Sequence, residues 1–168
     1  MKTLHTFALA ALMSVAAPSA VLASPAFDTA RTCPIATSAD IDSRFAAFNE
    51  AWATLSPDTV TALFTAQPVL LPTVSNQPRT TPATVRDYFV TFLRLKPVGR
   101  IDTSTTEIDC HTASRVGTWT VAITDPTTGQ KSDVVARYSF IYRFEDGIWK
   151  IDHLHSSAMP EAVAANAH

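Results

Sequence analysis

The chain has 168 residues, with 13 Lys or Arg against 15 Asp or Glu and a formal net charge of −2. A weakly acidic balance with no basic cluster argues against nucleic acid and anionic membrane as partners. The length fits one domain with a sizeable core, and no repeat, heptad or low-complexity tract is visible.

Residues 1–23 read as a secretory signal. Lys2 supplies a positive start, residues 7–17 are apolar, and Val21-Leu22-Ala23 offers a cleavage site. Pro18 and Ser19 interrupt the apolar run well short of the roughly 20 residues a membrane span needs. An exported protein, periplasmic or secreted, is expected, with no membrane attachment after cleavage. The two cysteines, Cys33 and Cys110, form an even count. In an oxidising compartment that favours a Cys33–Cys110 disulfide over two buried thiols.

Residues 24–37 form an extended leader. Ile41, Phe45, Phe48, Trp52 and Leu55 recur every three or four residues, which predicts an amphipathic helix capped by Ser38 or Asp40. Ser56-Pro57-Asp58 breaks it and starts a short second helix with Val60, Leu63 and Phe64 inward. Residues 69–71 read as a short buried strand and 74–79 as a loop. Thr81-Pro82 opens a third helix with an apolar stripe of Val85, Tyr88, Phe89, Phe92 and Leu93, ended by Pro97 and Gly99. Four strands follow, at 100–110, 114–124, 131–144 and 148–156. A turn at 125–129 joins the second and third. Asp146-Gly147 joins the last two, since both central positions of a type I′ turn need positive φ. The expected class is α+β, with three N-terminal helices packed on a curved antiparallel sheet. The folded domain spans 38–161 and a tail 162–168.

Two-residue periodicity assigns the faces. Val134, Ala136, Tyr138, Phe140, Tyr142 and Phe144 share one, and Arg137, Ser139, Ile141 and Arg143 the other. On the last strand Trp149, Ile151, His153 and His155 oppose Lys150, Asp152, Leu154 and Ser156. Neither face is fully polar, so both are expected to be partly covered.

The last hairpin carries the most specific pattern. Asp146, Gly147, Trp149, His153, His155, Ser157 and Pro160 fill the motif Asp-Gly-x-Trp-x-x-x-His-x-His-x-Ser-x-x-Pro. It resembles the closing hairpin of the association (hub) domain of calcium/calmodulin-dependent protein kinase II, a branch of the nuclear transport factor 2-like (SnoaL-like) superfamily. Arg86-Asp-Tyr88-Phe89 resembles that domain's Arg-x-Tyr-Phe run. The resemblance implies a cone-shaped fold from about Asp40 to Pro160, an outer sheet face that builds a homodimer or higher homo-oligomer, and an interior pocket. In the hub, three strands carry arginines into that pocket. Matching on the hairpin motif and on hydrophobic alternation puts Thr120, Phe140 and Ser156 at those places. The implied ligand-binding face is therefore Tyr88, Thr118, Thr120, Tyr138, Phe140, Tyr142 and Ser156, without the basic pocket. Such a cavity suits a small, mostly neutral ligand. The alternative is that these aromatics fill the core.

The same register sets Arg137, Trp149, His153 and His155 on the interface face, as hydrogen-bonded groups in a dimer seam or as an acid/base pair. His153-x-His155 lacks a third metal ligand, and no motif brings His111 beside it, so neither metal nor cofactor is expected. Asp152 with Tyr138 or Tyr88 could supply a base and an oxyanion donor. No Gly-x-Ser-x-Gly elbow, phosphate-cradling loop or kinase signature is present. The leading expectation is an exported association-domain-like protein that oligomerises and binds a small ligand. A small isomerase or hydrolase is the alternative.

Overall fold

The computed structural model describes residues 33–159. The signal segment, most of the leader and the C-terminal tail lie outside them. The elements run α1 (Ser38–Ala53), α2 (Pro57–Thr61), β1 (Phe64–Leu71), α3 (Pro82–Phe92), a 3-10 turn (Leu93–Leu95), β2 (Val98–Ile108), β3 (Thr112–Thr124), β4 (Lys131–Glu145) and β5 (Ile148–Ala158). The sheet order is β1-β5-β4-β3-β2. β2 to β5 form the antiparallel meander, while β1 runs parallel to β5 along its edge and makes the sheet mixed.

Capping chemistry fixes the helix starts. Thr37, rather than Ser38 or Asp40, caps α1, and Asp40 completes a capping box by accepting from the Thr37 N–H at 2.7 Å. Thr81 caps α3 in the same way with Thr84. Leu55 leaves the apolar stripe of α1. It takes a left-handed φ of 56° just past the helix end and is 47% exposed. Leu63 and Phe64 also fall outside α2, which ends at Thr61, and Phe64 opens β1 instead. Asp146 and Gly147 have φ of 54° and 82°, the pair of positive values a type I′ hairpin needs.

α1 and α3 pack on the Phe140 face of the sheet, and α2 packs against both of them. Phe48 of α1 meets Phe140 edge-on at 5.5 Å, and Phe89 of α3 meets Phe48 and Phe64 at 6.2 Å each. Asn49 ties α1 to β2 by bonding both the N–H and the carbonyl of Gly99. Cys33 and Cys110 are joined by a disulfide across 77 residues of sequence, with Cα atoms 4.6 Å apart. Cys110 lies in the turn between β2 and β3 rather than late in a strand.

Register shifts interrupt three strand pairs; the one between β1 and β5 falls between Phe64 and Val69, and the two within the meander each lie at an aspartate. On β2, Ile101 pairs with Trp119 and Thr103 with Thr118, so Asp102 is the extra residue. On β5, Ile151 pairs with Tyr142 and His153 with Ile141, so Asp152 is extra. An extra residue reverses the face of everything beyond it. Trp149 and Ile151 therefore share the buried face with Leu154 and Ser156, while His153 and His155 turn outward. This corrects the strict alternation expected along β5.

Gly117 on β3 is required by close approach. A Cβ there would lie 2.0 Å from the backbone oxygen of Thr103, the carbonyl that also accepts from the Tyr138 hydroxyl at 3.1 Å. Gly117→Ala is expected to force β2 and β3 apart and cost roughly 1–3 kcal/mol or more, as overpacking does. Urea unfolding monitored by circular dichroism measures it, and an unchanged midpoint would contradict the packing described.

Candidate ligand-binding cavity

Aromatic rings fill much of the space between helices and sheet. Phe140 and Tyr142 are both 0% exposed, and their rings stack at 5.7 Å. Burial pushes the Tyr142 hydroxyl up in pKa, and that hydroxyl meets no hydrogen-bond partner among the described residues. Tyr138 is likewise buried. These three expected ligand contacts are buried in the core and do not line the cavity described next.

A cavity persists beside them, with about 50 Å³ of free volume. One water needs on the order of 10–15 Å³ on that measure, so the space is small but not closed. Its walls come from α1 (Phe48, Trp52), α3 (Tyr88, Phe89, Phe92), β3 (Trp119, Val121, Ile123) and β5 (Leu154, Ser156), with Leu70 and the 72–74 segment at one side. The polar groups of the wall are few. Trp119 Nε1 donates to Ser156 Oγ at 3.2 Å, and Thr73 Oγ1 also bonds Ser156. Trp52 Nε1 is buried with no partner among the described residues.

Of the expected ligand residues, the structure brings Tyr88 and Ser156 to this cavity and leaves the others out. Thr118 and Thr120 lie on the opposite face, in register with Arg137 and Val135, while Trp119 and Val121 point inward. Thr118 pairs with Thr103 at 2.8 Å, and Thr120 donates to the bulged Asp102 at 2.7 Å. The interior is also not free of basic groups. Arg115 of β3 is 6% exposed, lies 5.5 Å over the Phe45 ring, donates to Ser104 at 3.0 Å and pairs with Asp42 at 3.0 Å. Its Nε and Nη2 are so engaged, its Nη1 is buried with no hydrogen-bond partner among the described residues, and it stands outside the cavity wall. Sequence reasoning missed Trp52 and Trp119 as wall residues: Trp52 stands on the expected α1 stripe, whereas the register that turned Thr118 and Thr120 inward left Trp119 on the other face.

The second expected cluster separates. Arg137, His153 and His155 lie on the outer face, whereas Trp149 is buried and its ring meets Phe144 at 5.2 Å. Burial and the neighbouring His155 lower the pKa of His153, with Asp152 opposing. Asp152 accepts from Thr65 at 3.1 Å and from Arg143 at 2.9 Å. It is therefore not brought to Tyr88 or Tyr138 as a base. Among the described residues no carboxylate or imidazole lines the cavity, and no three metal-binding side chains converge.

Helices on one face of a bulged five-stranded mixed sheet, enclosing an apolar cavity, define an α+β protein of the nuclear transport factor 2-like, cystatin-like class. A protein from Salmonella enterica of that superfamily superposes with a TM-score of 0.64 at 14% identity, covering 79% of this chain and 100% of that one. A protein from Streptomyces avermitilis provisionally named a dehydratase of the same class does so at 0.67 and 12%, covering 74% and 97%. At such identities the likeness concerns the fold alone. A protein from Xanthomonas campestris, provisionally named a calcium/calmodulin dependent protein kinase II association domain, is 39% identical, with a TM-score of 0.73 over 78% of this chain and 96% of that one. Residues 37–160 match the family model described as the calcium/calmodulin dependent protein kinase II association domain, and the chain belongs to that family. No curated protein matches it.

Proposed function

We propose that the protein is an exported, stand-alone association-domain-like module that homodimerises through the outer face of its sheet and holds a small ligand between its helices and sheet. The observation that carries the binding reading is the cavity, walled by Trp52, Trp119, Tyr88 and Leu154 and without a carboxylate or imidazole among the described residues that line it. Export is supported by the disulfide. No helix among the described residues is long and apolar enough to cross a membrane. Dimerisation is supported by the outer face, which none of the described helices covers and which carries Val116 at 39% exposure and the half-buried Ile141 beside polar groups. A small isomerase or hydrolase is the second reading. The provisional name of the Streptomyces protein favours it, and it would need a carboxylate or imidazole beside Tyr88 that the cavity wall lacks among the described residues.

Dimerisation through that face predicts a pH dependence. The folded pKa of His153 is lowered, so its contribution to stability is fully present above the unfolded value near 6.5 and is lost as pH falls through the folded one. Protonating His153 would place a half-buried positive charge in the seam. Light scattering at micromolar concentration should report a dimer at pH 7.5 that weakens towards pH 5. His153→Gln with His155→Gln should keep the fold and flatten that profile. A folded monomer at pH 7.5, or an unchanged profile in the double variant, would count against the seam.

A further inference from the structure

Two segments are fastened to the β2–β3 turn. The chain ahead of α1 is joined to it by the Cys33–Cys110 bridge and is fixed again at Thr37, the cap of α1. The β4–β5 hairpin is joined to it because the Phe144 N–H donates to the His111 carbonyl at 2.9 Å. Between these segments and the first turns of α1 lies a groove of about 330 Å³. It shares no lining residue with the cavity between helices and sheet.

The lining is of two kinds. The leader and the hairpin supply Pro34, Ile35, Phe144, Ile148 and Trp149. Phe144 and Trp149 meet edge-on at 5.2 Å and give a firm aromatic base. Ile35 is fully exposed, and Ile148 is 48% exposed. One isoleucine in water is ordinary, but two lining one groove, each on a fastened segment, mark a surface for another molecule. α1 supplies Asp40, Ser43 and Arg44. Asp40 is taken by its own helix cap, accepting from the Thr37 N–H at 2.7 Å and from the Thr37 hydroxyl at 2.8 Å. Arg44 acts on it only through space. Among the described residues Arg44 forms no ion pair, and its guanidinium reaches only the Ser43 hydroxyl, at 3.3 and 3.4 Å. A charged planar fork with one neutral partner is matched to a carboxylate side chain.

We propose that this groove docks an extended segment of a partner protein in which apolar and acidic side chains alternate. Successive side chains of an extended chain point to opposite sides, so such a segment meets both kinds of lining at once. Its apolar side chains rest on Phe144 and Trp149 beside Ile35 and Ile148. An acidic side chain takes the unused donors of Arg44. The bridge holds Pro34 and Ile35 in place, so the groove is complete only while that bridge is closed.

Calorimetric titration of the folded full chain with three short blocked peptides tests it: leucine alternating with glutamate, leucine with glutamine, and serine with glutamate. The first should bind about tenfold or more tighter than either of the others, the size of one charge-assisted hydrogen bond or one buried leucine. Arg44→Gln should bind the two leucine peptides equally and leave the affinity for the glutamine peptide unchanged, which a merely structural role for Arg44 would not produce. Ile148→Ser alters an exposed position and should weaken the first peptide several-fold. Cys33→Ser with Cys110→Ser should weaken it by about tenfold, and Ile35→Ser keeps the test decisive if that pair fails to fold. Equal binding of the three peptides, or no binding up to about 1 mM, would overturn the docking groove and leave the cavity reading standing. A wild-type dimer that Ile148→Ser dissociates without any peptide would assign the groove to a second copy and overturn the partner proposed.

Discussion

Phe48→Ala is expected to lower the free energy of unfolding by roughly 3–5 kcal/mol, the range for deleting a buried phenylalanine ring. Phe48 is 0% exposed. Its ring contacts Trp52 at 4.7 Å, Phe140 at 5.5 Å, Phe89 at 6.2 Å and Phe64 at 6.4 Å, so it joins α1 to α3, β1 and β4. It also walls the cavity, so truncation enlarges that space as well as removing contacts. Denaturant unfolding followed by tryptophan fluorescence measures the loss. A cost below about 1.5 kcal/mol would mean that the helices close over the gap and that the packing is softer than described.

Loss of the Cys33–Cys110 bridge is the second large effect. The bond closes a loop of 77 residues and holds the chain ahead of α1 to the β2–β3 turn. Double substitution with serine, or reduction, should cost roughly 2–4 kcal/mol by freeing the unfolded chain. The expected readout is a lower unfolding midpoint with dithiothreitol and no free thiol without it. Two titratable thiols per chain, in protein taken from an oxidising compartment and denatured, would refute the bridge.

Much of this fold is legible in the sequence because its signals are local. The α1 stripe, Thr81-Pro82 and Asp146-Gly147 each state their geometry within a few residues. The misread parts depend on events the local pattern does not carry. Period-two counting from Trp149 to His155 fails because Asp152 adds one residue, and nothing in Trp149-Lys-Ile151-Asp-His153 announces it. The hairpin motif still placed Ser156 on the cavity side, because a motif counts residues without assuming a flat strand. On β3 the carried-over register placed Thr118 and Thr120 inside. Trp119 and Val121 face inward instead, and Trp119-Thr120-Val121 carries that in its own apolar-polar-apolar order.

Native mass spectrometry of the protein purified from its own host tests the central claim most directly, because one spectrum reports subunit number and retained small molecules together. The account predicts a dimer, with a small-molecule adduct that leaves on mild activation. A folded monomer without adduct would contradict both assembly through the sheet and binding in the cavity.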